Sequence, residues 1–384
     1  MNIQIDSVGF VNRGAELMLH AILEKVKQQY PSANFVWGNN DKNCTFGDIS
    51  GLGIYQIFEL EKFKIPLHKM AHTLHADIKR YGLVYQNDVD VLFDAGGFRF
   101  GDHLARKARH LKKIDTYYHK LKRKGIKIIF LPQAFGPFNK RISLSIIRSV
   151  ASYADLIVAR DQESYNYLIS ALGESEKMKL FPDFTNLVSG RISNEIYQAV
   201  SGRVCIIPNS KMVTHTSPRI SQNYINFVKK VFLEAKANGK EVTLLNHAGE
   251  KDDKICEEIK DQLDSGVELC SRPNALEAKG IIGASSLVIS SRFHGVASAL
   301  SQAVPCLVSG WSHKYLMLLK DYDLENGILD LNDESAALNK VSEFIDENVN
   351  TQLRDHLAKK SKALKKKSEE MWNSVFKIID GTKP

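Results

Sequence analysis

Cysteine is sparse. The five in the chain, Cys44, Cys205, Cys256, Cys270 and Cys306, are scattered, odd in number and never in a CxxC pair, which argues against both a disulfide framework and a zinc site. Cys205 and Cys306 lie in strand-like runs and read as small buried hydrophobes. No apolar run approaches the roughly eighteen residues that a membrane helix needs, and the opening MNIQIDS lacks the basic and apolar regions of a signal peptide. A cytoplasmic protein is therefore expected. Aromatic interleaving is also missing from the basic stretches, and there is no recognised nucleic-acid motif, so the net charge of +8 does not point to nucleic acid. The excess is concentrated around Arg106 to Lys127 and Arg354 to Lys367, the latter with KKSKALKKK at its heart. Such stretches form solvated helix faces by default, and functionally they attract anionic substrates or an inner membrane surface.

What is present is the composition of a globular protein, 43% hydrophobic and 25% charged, in a 384-residue chain long enough for two domains. Short apolar runs alternate with helical spacing throughout. Strands are expected at Asn2–Asp6, Asn34–Trp37, Asp90–Phe93, Ile126–Leu131, Leu156–Ala159 and Met178–Phe181, then at Arg203–Pro208, Val242–Leu245, Val267–Leu269, Leu287–Ile289 and Pro305–Val308. This alternation predicts an α/β protein of two Rossmann-like, doubly wound domains facing each other across a cleft. The expected divisions are residues 1–195, 196–350 and a basic helical tail, 351–384, that crosses back to the first domain. Helical spacing over Phe63–Leu83 would place His68, His72 and His75 on one face. No carboxylate or thiol companion accompanies them, so no metal is expected. The DVD at Asp88–Asp90 precedes its strand, which places it on the wrong edge for a substrate metal.

The densest chemistry lies in SSLVISSRFHGVASALSQAVPCLVSG, from Ser285 to Gly310, which reads as one strand-helix-strand unit. Ser290, Ser291, Arg292, His294 and Gly295 fall at its strand-to-helix junction, where open α/β sheets bind ligands. Helix-start N–H groups lack intrahelical partners and favour anions. Arg292 adds a planar fork suited to carboxylate or phosphate, and His294 can move a proton near neutral pH. Alone, either residue is as often a solvated cation or a structural histidine; together at this edge they point to catalysis. Other junctions carry Asn12 and Gly14, Asp94 with Gly96, Gly97 and Arg99, Asn209, and His247. Asn12 can cap the following helix or bind a sugar hydroxyl, and Asp94 can act as a base or as a strand-end cap.

GFVNRGAELML, DAGGFRFGD, LPQAFGP, the ARDxxS pattern at Ala159–Ser164, the PD at Pro182–Asp183 and SSRFHGVxxAL followed by PCL resemble the polysaccharide pyruvyl transferase family in the same order. The resemblance implies a GT-B-like fold and transfer of pyruvate from phosphoenolpyruvate onto two hydroxyls of a sugar, as a cyclic ketal. It implies His294 and Arg292 as catalytic residues, with no cofactor. On this reading Ser290, Ser291, Arg292, Gly295, His247 and Asn209 belong to the donor side. Asn12, Gly14, Asp94, Gly96, Gly97 and Arg99 belong to the acceptor side. The partners would be phosphoenolpyruvate and a glycan acceptor; a lipid-linked acceptor would give the basic tail a place at the membrane. The alternative on the same fold is a nucleotide-sugar glycosyltransferase, for which Glu277 is the nearest acidic donor ligand. A non-enzymatic carbohydrate-binding protein would have no need of Arg292 and His294 together.

Overall fold

The computed structural model describes residues 1–38, 44–58, 61–62, 65–66, 77–103, 108–263, 267–310 and 313–381. His68, His72 and His75 lie outside the described residues. The chain forms two compact units. The first holds Met1–Phe10, Met18–Asp183 and Glu369–Pro384; the second holds Val11–Leu17 and Phe184–Ser368.

The first unit is built on a parallel sheet of eight strands. In chain order these are β1 (Asn2–Asp6), β2 (Asn34–Trp37), β3 (Ile54–Ile57), β6 (Leu83–Val84), β7 (Val91–Asp94), β8 (Lys127–Gln133), β9 (Leu156–Ala159) and β10 (Met178–Leu180); β4 (Glu61–Lys62) and β5 (Ile65–Pro66) form a separate antiparallel pair. The spatial order is β10-β9-β8-β7-β1-β2-β3-β6. β1, β7 and β9 are buried along their whole length, as expected for strands covered by helices on both faces. Succession runs outward from β1 through β2 on one side and from β7 through β8 on the other, so the topological switch point lies between β1 and β7. There Asp6 and Asp94 are paired in register, each the last residue of its strand.

The second unit repeats the design with five parallel strands: β11 (Val204–Ile207), β12 (Val242–Leu245), β13 (Val267–Cys270), β14 (Leu287–Ser290) and β15 (Cys306–Val308), in the order β13-β12-β11-β14-β15. Its switch point lies between β11 and β14. The helix Phe293–Ser301, which follows β14, is buried at every residue. Its small side chains permit that: a Cβ on Gly295 would lie 2.6 Å from Ser290 Oγ and 2.9 Å from Ile207 Cδ1.

Two expectations need correction. The helix expected over Phe63–Leu83 is, in its described part, the strand β5, a short 3-10 turn at Lys79–Tyr81 and the start of β6, which pairs with β3. A two-residue edge strand is too short to show period-two alternation. The helical tail expected at 351–384 starts earlier, as the second of two helices, Glu334–Ile345 and Glu347–Asp380, and Asp346 Oδ1 accepts from the amides of Asn348 and Val349 to start it. That long helix buries Leu357 and Leu364 in the second unit's core. Its last turns belong to the first unit, where Trp372 stacks on Phe376 and meets Phe93 edge-on. Among the described residues, no helix is long and apolar enough to cross a membrane.

Candidate active site

The switch point of the second unit is held by a buried polar lattice. Ser291 is the hub: its hydroxyl pairs with Tyr224 Oη at 2.8 Å and Ser309 Oγ at 2.6 Å, and its carbonyl accepts from Asn209 Nδ2 and Tyr315 Oη, both at 2.7 Å. Asn209 Oδ1 also accepts from the Lys211 amide. Ser290 Oγ accepts from the Arg292 amide and donates to the Arg292 carbonyl, each at 3.0 Å. Ser290, Ser291 and Asn209, read from sequence as donor-side residues, therefore fix the loop geometry with their own polar atoms. Each is almost fully buried, and satisfied networks of this kind make a junction rigid.

Arg292 occupies the cap position of the helix Phe293–Ser301. Its Nε donates to Asp252 Oδ2 at 2.7 Å, and its Nη2 reaches the same oxygen. Asp252, fully buried, also accepts from the Ser210 amide at 3.0 Å. The guanidinium is thus anchored along one edge while the side chain keeps 15% exposure, which leaves donors of the fork for another acceptor.

His294 sits in the first turn of that helix, 9% exposed. Its ring packs on the backbone of Gly14, where a Cβ would fall 2.1 Å from Nδ1. The Asn12–Gly14 loop is stitched to the loop after β12: Asn12 bridges Ala248, and the Arg13 amide donates to the His247 carbonyl at 3.2 Å. Asn12 Oδ1 accepts from the Gly14 amide, so Asn12 performs the capping role of the two open to it. Burial, then His294, Arg292 and Arg13, push His247 down to about 3, and its imidazole is neutral at neutral pH. Arg292 and Arg13 thus bring two cations to His247 and His294, balanced by Asp252 and by Glu16, which holds Arg13 Nη1 at 2.6 Å. Lys314 adds a further cation over the rings of Phe293 and Tyr315.

The remaining predicted residues form a different arrangement in the first unit. Asp94 is fully buried; its Oδ2 meets Arg99 Nη1, Tyr118 Oη at 3.0 Å and Ser7 Oγ at 3.3 Å, and its Oδ1 meets the Gly96 amide at 3.1 Å. The geometry is that of a strand-end cap. Gly97, at φ 61°, turns the chain where a side chain would be strained. Asp6 accepts from Tyr117 Oη at 2.5 Å and Gln4 Nε2 at 2.9 Å. Burial raises the Asp6 carboxyl above its ordinary value.

The sequence model for polysaccharide pyruvyl transferases matches residues 12–313. The chain belongs to that family. No curated protein sequence matches the transferase. Among solved structures, a Staphylococcus aureus MnaA–UDP co-structure is similar with a TM-score of 0.61 at 13% identity, over 100% of this chain and 98% of that one. The UDP-GlcNAc 2-epimerase of Neisseria meningitidis bound to UDP-GlcNAc gives 0.61 at 11%, over 98% and 100%. Anabaena Alr3699/HepE in complex with UDP-glucose gives 0.56 at 12%, over 97% and 99%. At these identities the likeness is one of fold, and the fold of the transferase is GT-B.

Sequence reasoning missed Asp252, Arg13, Glu16 and Lys314 at the transferase's second switch point, and Asp6, Tyr117 and Tyr118 at its first. Glu277, the acidic residue proposed for a nucleotide-sugar donor, accepts from the Asn274 amide at 2.9 Å in a capping box at the start of the helix Ala275–Ala284. Among the described residues no group of three histidine, cysteine or acidic side chains could hold a metal ion.

Proposed function

We propose that this transferase moves pyruvate from phosphoenolpyruvate onto two hydroxyls of a sugar in a surface polysaccharide or its precursor, forming a cyclic ketal and releasing phosphate. The observation that carries this reading is the pairing of His294, in the first turn after β14, with an Arg292 fork anchored by buried Asp252. A donor bearing both carboxylate and phosphate fits an electropositive group of this kind, and each charge-assisted hydrogen bond contributes on the order of 1.5–3 kcal/mol.

His294, charged when the anionic donor is bound, gives its proton to the methylene carbon. The adjacent carbon becomes cationic and a sugar hydroxyl adds to it, passing its proton to the phosphate. That group then leaves as hydrogen phosphate with the C–O bonding pair, and Arg292 offsets the charge that develops on it. The second hydroxyl closes the ring and its proton is taken up by the base formed in the first step. Neutral His247 next to His294 keeps the local positive charge from rising further. Arg99, pinned by one nitrogen and 32% exposed, and the Gly96–Gly97 turn are the acceptor-side residues of this proposal.

The test is phosphate release from phosphoenolpyruvate with a panel of galactose- and mannosamine-containing acceptors, with His294→Ala as control. Acceptor-dependent release that the variant loses supports the reading. The bound UDP and UDP-sugars of the structural relatives favour a nucleotide-sugar glycosyltransferase as the second reading, and release of nucleoside diphosphate instead of phosphate would establish it. A lipid-linked acceptor would give exposed Lys359, Lys362, Lys366 and Lys367 a role at an anionic membrane face, worth about 1 kcal/mol per lysine. Flotation with anionic vesicles tests this, and absence of salt-sensitive binding would remove it.

A further inference from the structure

We infer that Phe98 and His103 form a stacking platform for the acceptor, which takes the C–H face of a pyranose ring while Arg99 meets its hydroxyls. The inference rests on the proposed function only in taking the acceptor to be a sugar.

The loop that follows β7 carries both rings, at the sheet edge where open α/β folds bind ligands. It is fixed at several points. Ala134 N–H donates to the Gly97 carbonyl at 2.8 Å and Gly136 N–H to the Phe100 carbonyl at 2.9 Å, while Asp102 accepts from the amides of Asn139 and Lys140, both at 3.0 Å. Phe100 places its ring in the core, where it is 2% exposed and meets Phe130 and Phe135. Phe98 stays half-buried instead. It stacks on exposed His103, with ring centroids 4.0 Å apart and planes 24° from parallel. His103 Nε2 lies 3.3 Å from the Phe98 carbonyl oxygen, which holds the two rings face to face. Gly101 lets the imidazole fold back, since a Cβ there would fall 2.9 Å from its Nδ1 and 2.5 Å from the Gly136 carbonyl oxygen.

A fixed loop that keeps two stacked rings partly in solvent at a ligand edge forgoes the stabilisation that full apolar burial gives. An aromatic face is negative, and the C–H bonds of a pyranose carry slight positive charge, so a sugar ring laid on the stack regains that contact. The polar requirement is met by the neighbouring residue. All three hydrogen bonds of the Arg99 guanidinium leave from Nη1, to Ser7, Asp94 and Tyr118, and the side chain keeps 32% exposure. Among the described residues Nε and Nη2 meet no acceptor, and their N–H groups suit sugar oxygens.

The full chain is titrated, without phosphoenolpyruvate, against methyl β-galactopyranoside and methyl N-acetyl-β-mannosaminide by saturation-transfer NMR, as wild type, Phe98→Ala, Phe98→Tyr and His103→Ala. The expected result is a dissociation constant raised about twofold to tenfold in Phe98→Ala, with its thermal midpoint near that of the wild type, and near the wild-type value in Phe98→Tyr. His103→Ala should weaken binding less, because Phe98 remains. A folded Phe98→Ala that binds both sugars as the wild type does would overturn the platform while leaving the proposed function standing. If Phe98→Ala does not fold, unchanged affinity in His103→Ala would overturn the platform and weakened affinity would support it. A wild type that binds neither sugar overturns it as well. Sugar binding that Phe98→Ala weakens, in a protein whose wild type releases no phosphate from phosphoenolpyruvate, supports the platform and ends the pyruvyl donor reading alone.

Discussion

The two parallel sheets end, at equivalent topological positions, in opposite electrostatic arrangements. At the β1/β7 switch point the central groups are carboxylates, Asp6 and Asp94, closed in by Arg99, two tyrosines, two glutamines, a serine and a backbone amide. At the β11/β14 switch point the central groups are basic, and the carboxylates Asp252 and Glu16 serve as anchors for arginines. Topology thus supplies the place for a ligand, and the side chains decide its sign. A closed network of hydrogen bonds specifies structure. On the proposed function, an anchored fork beside two imidazoles prepares chemistry.

The largest effect expected from breaking this contrast is on the basic side. His294→Ala should lower acceptor-dependent phosphate release by about 10²- to 10⁴-fold with little change in thermal midpoint. An equal loss from a substitution at Asp94 in a stably folded protein would erase the functional distinction between the two edges. On the acidic side the expected effect is on stability. Asp94→Ala leaves buried Tyr118 and half-buried Arg99 without their acceptor and should cost about 1–3 kcal/mol in chemical denaturation. A loss below about 1 kcal/mol would show that the network is not the structural device described here.

Gly14→Ala sharpens the comparison because its two consequences oppose each other. Alanine in a helix is favoured over glycine by up to about 1 kcal/mol, yet its Cβ would fall 2.1 Å from His294 Nδ1, so the imidazole must move. Because that Cβ would also fall 2.5 Å from Cγ and 2.9 Å from Cβ of buried His294, and overpacking costs about 1–3 kcal/mol, the expected outcome is a thermal midpoint below the wild type with kcat reduced about tenfold or more, since misplaced catalytic groups are costly. Unchanged kcat would mean that the ring position at Gly14 is not the catalytic one.

Much of this was legible in the sequence, for identifiable reasons. β2, β9 and β12 were placed to the residue because each is a four-residue run, largely apolar, with turn or charged neighbours. The His294 junction was legible because strand, fork, imidazole and glycine are contiguous. What was not legible was long-range. Asp252 is 40 residues from Arg292 and looked like any first-turn helix acid. Tyr117 and Tyr118 looked like helix interior, and Asp6 like an ordinary strand-end polar residue. Val11–Leu17 packs with the second unit although β1 before it belongs to the first, and no local pattern encodes that.

The smallest expected effect distinguishes the two edges by the sign of their pH dependence. His247, pushed down to about 3 from an ordinary 6.5, is neutral in the folded chain while the unfolded chain takes up a proton below 6.5. Its stabilisation is complete above that pH and is lost as pH falls toward 3, at up to about 1.4 kcal/mol per pH unit. Asp6 runs the other way: burial raises its carboxyl above 3.8, so its contribution is present below 3.8 and is lost as pH rises through its folded value. Stability measured by denaturant between pH 3 and 7 should therefore flatten above pH 5 in His247→Gln, whereas Asp6→Asn should remove a loss of stability that sets in as pH rises above 3.8. If His247→Gln leaves the slope between pH 5 and 6.5 as it is in the wild type, the imidazole is charged in the folded protein, and the second switch point carries one more positive charge than the arrangement around His294 requires.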